Sequence, residues 1–224
     1  MKAATTASSA ESLRRADRFH EAVRHEVIVP QLHQFTVGGL PAVVMPWFEG
    51  EVLYAATRTG GEDRTAPSSA MARFRTQPLQ RVLDAVESVL EAHLAVEEAG
   101  FVAVDFYDGC LLYDFTTGRL RLCDLDEYRP GPFTVEGERL PGSKRFMAPE
   151  EFRRGAEINA RTTVFNLGRA ARLLLDAGDT ESHWRGSTAQ LAVVVKATDS
   201  RPELRYSSAG ELLAAWRAAG PPGG

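Results

Sequence analysis

Two aspartates in this sequence are spaced and flanked in a way that could carry chemistry. Asp105 follows the hydrophobic residues 101–104, Asp124 follows residues 120–123, and a turn-like stretch comes after each. A carboxylate at the end of a strand is held in a fixed direction. Phosphoryl transfer uses two such groups, one to orient the attacking hydroxyl and one to hold Mg²⁺. Taken singly, each aspartate is more typical of a residue that begins a turn.

Helices and short strands must position these carboxylates. Hydrophobic spacing predicts helices over residues 14–24, 79–100, 163–175, 188–198 and 208–219, with Ser207 as the N-cap of the last. Short apolar runs predict strands over residues 32–37, 41–48, 101–104, 110–113 and 120–123, and a strand or buried turn over residues 27–29. The runs on either side of Gly38 and Gly39 are typical of a hairpin. Strands first, helices last and no alternating pattern indicate an α+β fold.

The chain divides into two parts of unequal size. Residues 57–77 are rich in Gly, Asp, Arg, Pro and Ser and show little periodicity, which predicts an exposed connection. We therefore expect a small part over residues 1–56, a linker or insert over 57–78 and a larger part over 79–224. The helix at 163–175 is apolar on nearly every side, so it should lie in the middle of the larger part.

Charge and composition exclude several classes of partner. The net charge is -4 and no block of five like charges occurs, which argues against binding to nucleic acid or anionic lipid and favours a small-molecule or protein partner. No secretory signal and no run of eighteen apolar residues occur, so we expect a cytoplasmic protein. The two cysteines are too few for a disulfide framework and lack partners for zinc, so they should be reduced thiols.

Several motifs resemble the protein-kinase superfamily, over most of the chain from about Arg14 onward. Residues 97–105 are similar to the approach to its catalytic loop, and 124–126 stand where that family has its metal-binding Asp-Phe-Gly, nineteen residues after Asp105. The most specific match is Gly-Ser-Lys-Arg-Phe-Met-Ala-Pro-Glu at 142–150, which resembles the end of a kinase activation segment. Residues 163–168 and 197–208 resemble two later segments, the second of which carries Arg205.

This resemblance implies a protein-kinase-like fold, with a reduced β-rich N-lobe and a mainly helical C-lobe, and ATP and Mg²⁺ as cofactors. It assigns Asp105 as the catalytic aspartate and Asp124 as the metal ligand. An ion pair between Glu150 and Arg205 would brace the activation segment against the helical lobe, since an Arg–carboxylate fork fixes geometry as well as charge.

The N-terminal part resembles the family more loosely. Met45 would line the back of the adenine pocket, and the backbone around Trp47 would bind the edge of the base. An ordinary buried strand with an aromatic plug explains these residues equally well. Lys2 would be the phosphate-anchoring lysine, or alternatively an ordinary exposed terminal residue. No Gly-rich phosphate loop precedes it, so we expect a truncated N-lobe, as a misassigned start codon would leave.

The catalytic loop also departs from the family pattern. Cys110 replaces an asparagine that holds a second metal, and a thiol is a poor ligand for Mg²⁺. Tyr107 stands in place of a lysine, residues 103–104 in place of His-Arg, and Thr163 in place of an aspartate that braces the loop. Asp108 could supply the oxygen that Cys110 lacks, a hypothesis that rests on proximity alone.

Three functions are compatible with these residues. The first is ATP-dependent phosphorylation of Ser or Thr in a protein substrate, slowed by the missing charge-stabilising groups. The second is a pseudokinase that acts as a nucleotide- or partner-binding module, for a signalling partner. The third, a small-molecule phosphotransferase, is disfavoured by the segments around Glu150 and Arg205, which build the protein-substrate side of a kinase.

Overall fold

The computed structural model describes residues 1–57 and 60–220, and it has an α+β fold. Within these residues the α-helices are α1 (Ala7–Ala22), α2 (Ala70–Arg75), α3 (Leu79–Glu98), α4 (Ala160–Leu174), α5 (Thr188–Ala197) and α6 (Ala209–Ala219). The strands are β1 (Lys2–Ala3), β2 (His33–Val37), β3 (Leu40–Val44), β4 (Glu51–Val52), β5 (Ala56–Thr57), β6 (Gly60–Gly61), β7 (Phe101–Val102), β8 (Leu111–Tyr113), β9 (Leu120–Leu122), β10 (Arg129–Pro130), β11 (Phe133–Thr134) and β12 (Glu157–Ile158).

The strands form small antiparallel sheets. Two of them have three strands, in the orders β1-β3-β2 and β4-β8-β9. The first sheet lies beside α1 and places Lys2 opposite Val43. The second brings the ends of β8 and β9 together, with Leu111 opposite Leu122. The first sheet therefore carries Lys2, and Asp124 lies two residues beyond the end of β9 in the second.

The predicted hairpin is present, and glycine makes its turn possible. Gly38 and Gly39 have φ values of 57° and 83°, a left-handed conformation that glycine adopts at low cost and that suits a two-residue hairpin. The strand β3 ends at Val44, whereas the prediction extended it to residue 48. The residues from Met45 to Phe48 instead run in irregular conformation.

Helix α1 begins at Ala7, well before the predicted start at residue 14. Thr6 caps it: the Thr6 Oγ1 atom accepts a hydrogen bond from the Ser9 amide at 3.1 Å, and the Ser9 Oγ atom accepts one from the Thr6 amide at 3.0 Å. This reciprocal pair satisfies two of the free amides at a helix start. The prediction failed because residues 7–12 are small and polar, with little hydrophobic periodicity.

Two other helix starts correct the sequence prediction. Helix α4 starts at Ala160 because the Asn159 side chain accepts a hydrogen bond from the Arg161 amide at 2.9 Å. Helix α6 is capped by Ser208, whose Oγ atom accepts from the Glu211 amide at 3.0 Å, and not by Ser207. Adjacent serines are equally good caps by residue type, so only the backbone conformation distinguishes them.

The prediction that residues 57–77 form an exposed connection is wrong for the second half of that segment. Helix α2 buries Met71 and Phe74 in the main core, and the guanidinium of Arg75 donates to the Leu173 carbonyl oxygen at 2.9 and 3.1 Å. A six-residue helix is too short for its hydrophobic period to stand out among polar neighbours. Residues 58 and 59 of the same segment lie outside the described residues.

Helices α3 and α4 form the centre of the larger part. The prediction that the second of them lies in the middle is confirmed, because Val164, Leu167, Ala171 and Leu174 are all buried in the main core. The helices within the described ranges are all too short or too polar to pass through a lipid bilayer.

Candidate active site

The two predicted acids lie in strained backbone. Asp105 and Asp124 have φ values of 58° and 57°, in the left-handed region that residues with a side chain seldom adopt. Among the described non-glycine residues, only Asp179 and Glu181 share this feature. Such strain persists only where the surrounding structure enforces it, and it is concentrated at functional sites.

A buried thiol joins the two loops that carry these acids. The Cys110 Sγ atom lies 3.5 Å from the Asp105 carbonyl oxygen and 3.9 Å from that of Asp124, so it can donate a weak hydrogen bond to either. Burial raises the pKa of the Cys110 thiol well above its ordinary value, which keeps the thiol protonated as a donor. Cys110 thus contributes to the arrangement of the loops, although it is a poor ligand for a hard metal ion.

Thr163 holds the backbone just before Asp105. Its Oγ1 atom accepts a hydrogen bond from the Ala103 amide at 3.0 Å, and both residues are buried. This hydrogen bond fixes the backbone two residues before Asp105.

Asp108 is engaged elsewhere. It is 1% exposed, and its two oxygens accept hydrogen bonds from Arg64 at 2.5 and 2.9 Å. The Arg64 guanidinium in turn stacks on the Tyr54 ring, 3.4 Å from its centroid. Because both carboxylate oxygens are taken up by this ion pair, the structure argues against the hypothesis that Asp108 supplies an oxygen in place of Cys110.

A cavity of about 380 Å³ lies between the smaller and the larger part. All four residues predicted to bind the cofactor line this cavity: Lys2, Met45, Trp47 and Asp124. Its apolar walls come from several hydrophobic side chains, among them Val29, Leu112 and Leu122, while its polar end carries Lys2 and Asp124. Trp47 is 84% exposed, so it lies at the edge of the cavity, and its Nε1 atom donates to Glu49 at 3.1 Å.

The ammonium of Lys2 lies between two carboxylates. It forms ion pairs with Asp124 and, at 2.5 Å, with Asp126. Burial disfavours its charge, but the two carboxylates outweigh that effect and raise the pKa of Lys2. Lys2 is part of β1 and is not a disordered terminal residue. No carboxylate of α1 pairs with Lys2 in the described structure.

A smaller cavity of about 230 Å³ adjoins the first and shares Lys2, Asp124 and Asp126 with it. Asp105 and Glu127 complete its acidic wall. Burial, and then the negative charges of Asp124 and Glu127, raise the pKa of Asp105 to about 6. A carboxyl with a pKa near neutrality can both accept and return a proton at cellular pH, as a general base requires.

The segment at 142–150 passes close to Asp105. A side chain on Gly142, whose φ is 148°, would lie 3.7 Å from the Asp105 Cα atom and 3.0 Å from the Met147 sulfur. Residues with a side chain rarely adopt this φ value, so glycine suits the position. The segment that resembles a kinase activation segment therefore lies next to the candidate catalytic residue.

The far end of this segment is anchored by Glu150 and Arg205. Two parallel hydrogen bonds of 2.6 and 3.0 Å join the buried side chains, and Thr162 donates to Glu150 at 2.9 Å. Burial alone would raise the pKa of Glu150, but hydrogen bonds and charge from Arg205 outweigh burial and lower it. The arginine Nε atom also donates to the Asp199 carbonyl oxygen at 2.7 Å.

Sequence reasoning missed three residues of this site: Asp126, Glu127 and Arg15. The first two follow Asp124 within an acidic stretch, Asp-Leu-Asp-Glu, which is a visible signal. The third gives no such signal, because it contacts Glu127 only through the tertiary fold. Within residues 1–57 and 60–220, no three His, Cys, Asp or Glu side chains are grouped so that they could hold a metal ion unaided.

Comparison with known proteins adds no assignment: no protein-family model matches the chain, and neither does any curated protein.

Proposed function

We propose that this protein is a divergent protein-kinase-like phosphotransferase that transfers phosphate slowly from ATP to Ser or Thr of a protein substrate. The observation that carries the proposal is the shared cavity. Lys2, Met45, Trp47 and Asp124, singled out from three separate places in the sequence, line one cavity, and Asp105 lines the adjoining one. The proposal includes a kinase-like two-lobed fold and a cytoplasmic location.

The larger cavity suits ATP. Its apolar walls, with Met45 and Leu122 among them, would enclose the flat adenine base, and its volume of about 380 Å³ is in the range of small-molecule sites. At the polar end, the Lys2 ammonium would bind phosphate oxygens. Lys2 would then exchange one set of anionic oxygens, those of Asp124 and Asp126, for another.

Mg²⁺ also fits the donor set. Mg²⁺ is usually bound by one or two protein carboxylates together with substrate phosphates and water, so three grouped protein ligands are not needed. Asp124, whose side chain is 52% exposed, would be the residue that holds it. The ion would neutralise charge on the phosphates during transfer.

Asp105 would orient the acceptor hydroxyl. The hydroxyl oxygen forms the new bond to the γ-phosphorus, the bond from that phosphorus to the bridging oxygen breaks, and ADP leaves. The hydroxyl proton passes to Asp105 as the new bond forms. The nearby 142–150 segment would supply part of the surface on which a protein substrate lies.

A second function, a pseudokinase that binds nucleotide or a partner without chemistry, is favoured by two observations. Lys2 is already neutralised by two carboxylates, and Cys110 leaves the second metal position without an oxygen ligand. Both features lower the stabilisation available to the transferred phosphate.

Thermal unfolding with and without Mg²⁺ and ATP tests nucleotide binding. A ligand that binds only the folded state must raise the unfolding midpoint. We expect a rise for the wild type, none for Asp124→Asn, and an unchanged response for the control Glu136→Gln, which alters an exposed acid that lines neither cavity. No rise for the wild type at millimolar ATP contradicts the kinase and also the pseudokinase that binds nucleotide.

Transfer of radiolabelled phosphate from ATP to a generic protein substrate separates the two functions. If the protein is a kinase, the wild type transfers the label, whereas Asp105→Asn transfers none but keeps the thermal response to ATP. A pseudokinase shows the thermal response without label in either protein.

A further inference from the structure

We propose that Arg15 and Glu127 are positioning residues that hold α1, and with it Lys2, over the acids of the candidate site. This proposal depends on the proposed function only for the claim that Lys2 meets phosphate. The contact itself joins the smaller part of the molecule to the stretch that follows Asp124.

Glu127 accepts three short hydrogen bonds from α1. The Arg15 Nη2 atom donates to both oxygens of Glu127, at 2.6 and 2.8 Å, and the Ser12 Oγ atom donates to one of them at 2.6 Å. The two charged side chains are only 15% and 19% exposed. A pair shielded from water to this extent is screened less than an exposed pair.

Helix α1 and strand β1 form one packed unit. Ala10 and Leu13 of α1 lie in a small hydrophobic cluster with Ala4 and Val43, next to the strand that carries Lys2. Thr6, the cap of α1, is only four residues from Lys2. A displacement of the helix must therefore move Lys2 as well.

Two cations of this unit, Lys2 and Arg15, fasten it to the same acidic stretch. Lys2 contributes the cation to Asp124 and Asp126, whereas Arg15 contributes the cation to Glu127, the next residue in the chain. When Lys2 turns from the carboxylates to phosphate, the ion pair between Arg15 and Glu127 still joins α1 to this stretch, beside the packing of Phe19 against Tyr128.

The chain provides a matched control at the same arginine. Glu11 also pairs with Arg15, at 3.1 Å, but its side chain is 72% exposed. An exposed pair within a helix contributes little. Glu11→Gln and Glu127→Gln each remove a carboxylate that pairs with Arg15, and only the second removes the contact across the site. Glu127 also pairs with Arg129, at 3.5 Å.

The test measures how tightly each protein variant binds ATP in the presence of Mg²⁺, as a dissociation constant, at a temperature far below unfolding. The variants are Glu127→Gln, Arg15→Gln, their double variant and Glu11→Gln. We expect each of the first two to weaken binding about tenfold, equivalent to one 1.4 kcal/mol step. The double variant should be no weaker than either single one, because both remove one interaction. Glu11→Gln should stay within about twofold of the wild type.

Exchanging the two charges of the pair should restore part of the lost affinity. Arg15→Glu combined with Glu127→Arg should bind nucleotide more tightly than Glu127→Arg alone. Wild-type affinity in Glu127→Gln, or strictly additive single effects, would overturn the proposal.

Hydrogen exchange of the free protein provides a measurement that needs no nucleotide. Amides of residues 2–15 should exchange faster in Glu127→Gln than in Glu11→Gln. If the wild type binds no ATP but this difference appears, the proposed function falls and the positioning role stands. If exchange is equal in the two variants, the positioning role is wrong, whatever the nucleotide result.

Discussion

Two ion pairs at opposite ends of the candidate site differ in how they are built. Glu150 and Arg205 are at most 3% exposed, and the oxygens and nitrogens of the pair have further partners in Thr162 and the Asp199 carbonyl. The side chains of Lys2 and Asp124 are 40% and 52% exposed. The first pair lies in the packed interior of the protein, whereas the second lies on the wall of a cavity.

This difference determines what each pair can do. A buried charge that loses its partner cannot be rescued by water, so the buried pair is suited to holding a fixed shape. A half-exposed pair contributes little to stability and can exchange its partner for a ligand at little cost. The following predictions test this contrast, from the largest expected effect to the smallest.

Glu150→Gln should cause the largest loss of stability. It leaves the buried Arg205 guanidinium without its countercharge, which typically costs about 3–5 kcal/mol. Urea unfolding measures the loss, with Glu87→Gln as the control, because Glu87 pairs with Arg217 at an exposed site and should cost about 1 kcal/mol or less. Equal losses for the two variants would contradict the contrast between buried and exposed pairs.

Thr163→Val should have the next largest effect. The substitution keeps the shape of the side chain but removes the acceptor for the buried Ala103 amide, at a cost of about 1–3 kcal/mol. Urea unfolding measures this, and Thr36→Val on the exposed strand β2 is the matched control. The Ala103 amide should also exchange its hydrogen faster in Thr163→Val. If it does not, the loss of stability does not come from this hydrogen bond.

Asp105→Asn should stabilise the protein in a pH-dependent manner. The folded pKa of Asp105, about 6, lies above the ordinary value of 3.8, so the folded state binds more protons and this group destabilises the protein as the pH rises from 4 to 6. Asparagine cannot ionise and removes this cost. We expect a gain on the order of 1 kcal/mol at pH 7, after allowance for solvent screening, and almost none at pH 4.

The measurement is the unfolding midpoint of the wild type and of Asp105→Asn at both pH values. A gain at pH 4 as large as that at pH 7 would show that the effect does not come from ionisation of Asp105.

Lys2→Gln should have the smallest effect on the stability of the free protein. Half-exposed pairs of this type contribute about 1 kcal/mol or less. The same variant should lose the thermal response to Mg²⁺ and ATP, because the cavity no longer carries its cation. Thermal unfolding with and without ligand measures both effects, and a loss of stability as large as that of Glu150→Gln would remove the distinction between the two pairs.

Much of the local structure could be predicted from the sequence. Helices α3 and α4 follow from hydrophobic spacing, and the turn at Gly38 and Gly39 follows from two adjacent glycines. The start of α1 and the existence of α2 could not be predicted in this way. The first depends on a polar cap among small residues, and the second is a helix of six residues whose burial is decided by the core that it meets.

The candidate site was predictable only in part. Spacing and resemblance placed Lys2, Met45 and Trp47 around Asp124, and the structure brings these residues to one cavity. The ion pair of Asp108 with Arg64 was not foreseen, because proximity in sequence to Asp105 suggested a different role.

The sequence by itself determined helices α3 and α4 and the turn at Gly38 and Gly39, because these depend on neighbours within a few residues. Only the tertiary structure decided which charges meet. Lys2 and Asp126 are 124 positions apart and Arg15 and Glu127 are 112 apart. Contacts over such distances leave no periodic trace in the sequence, since they depend on how the packed elements are oriented.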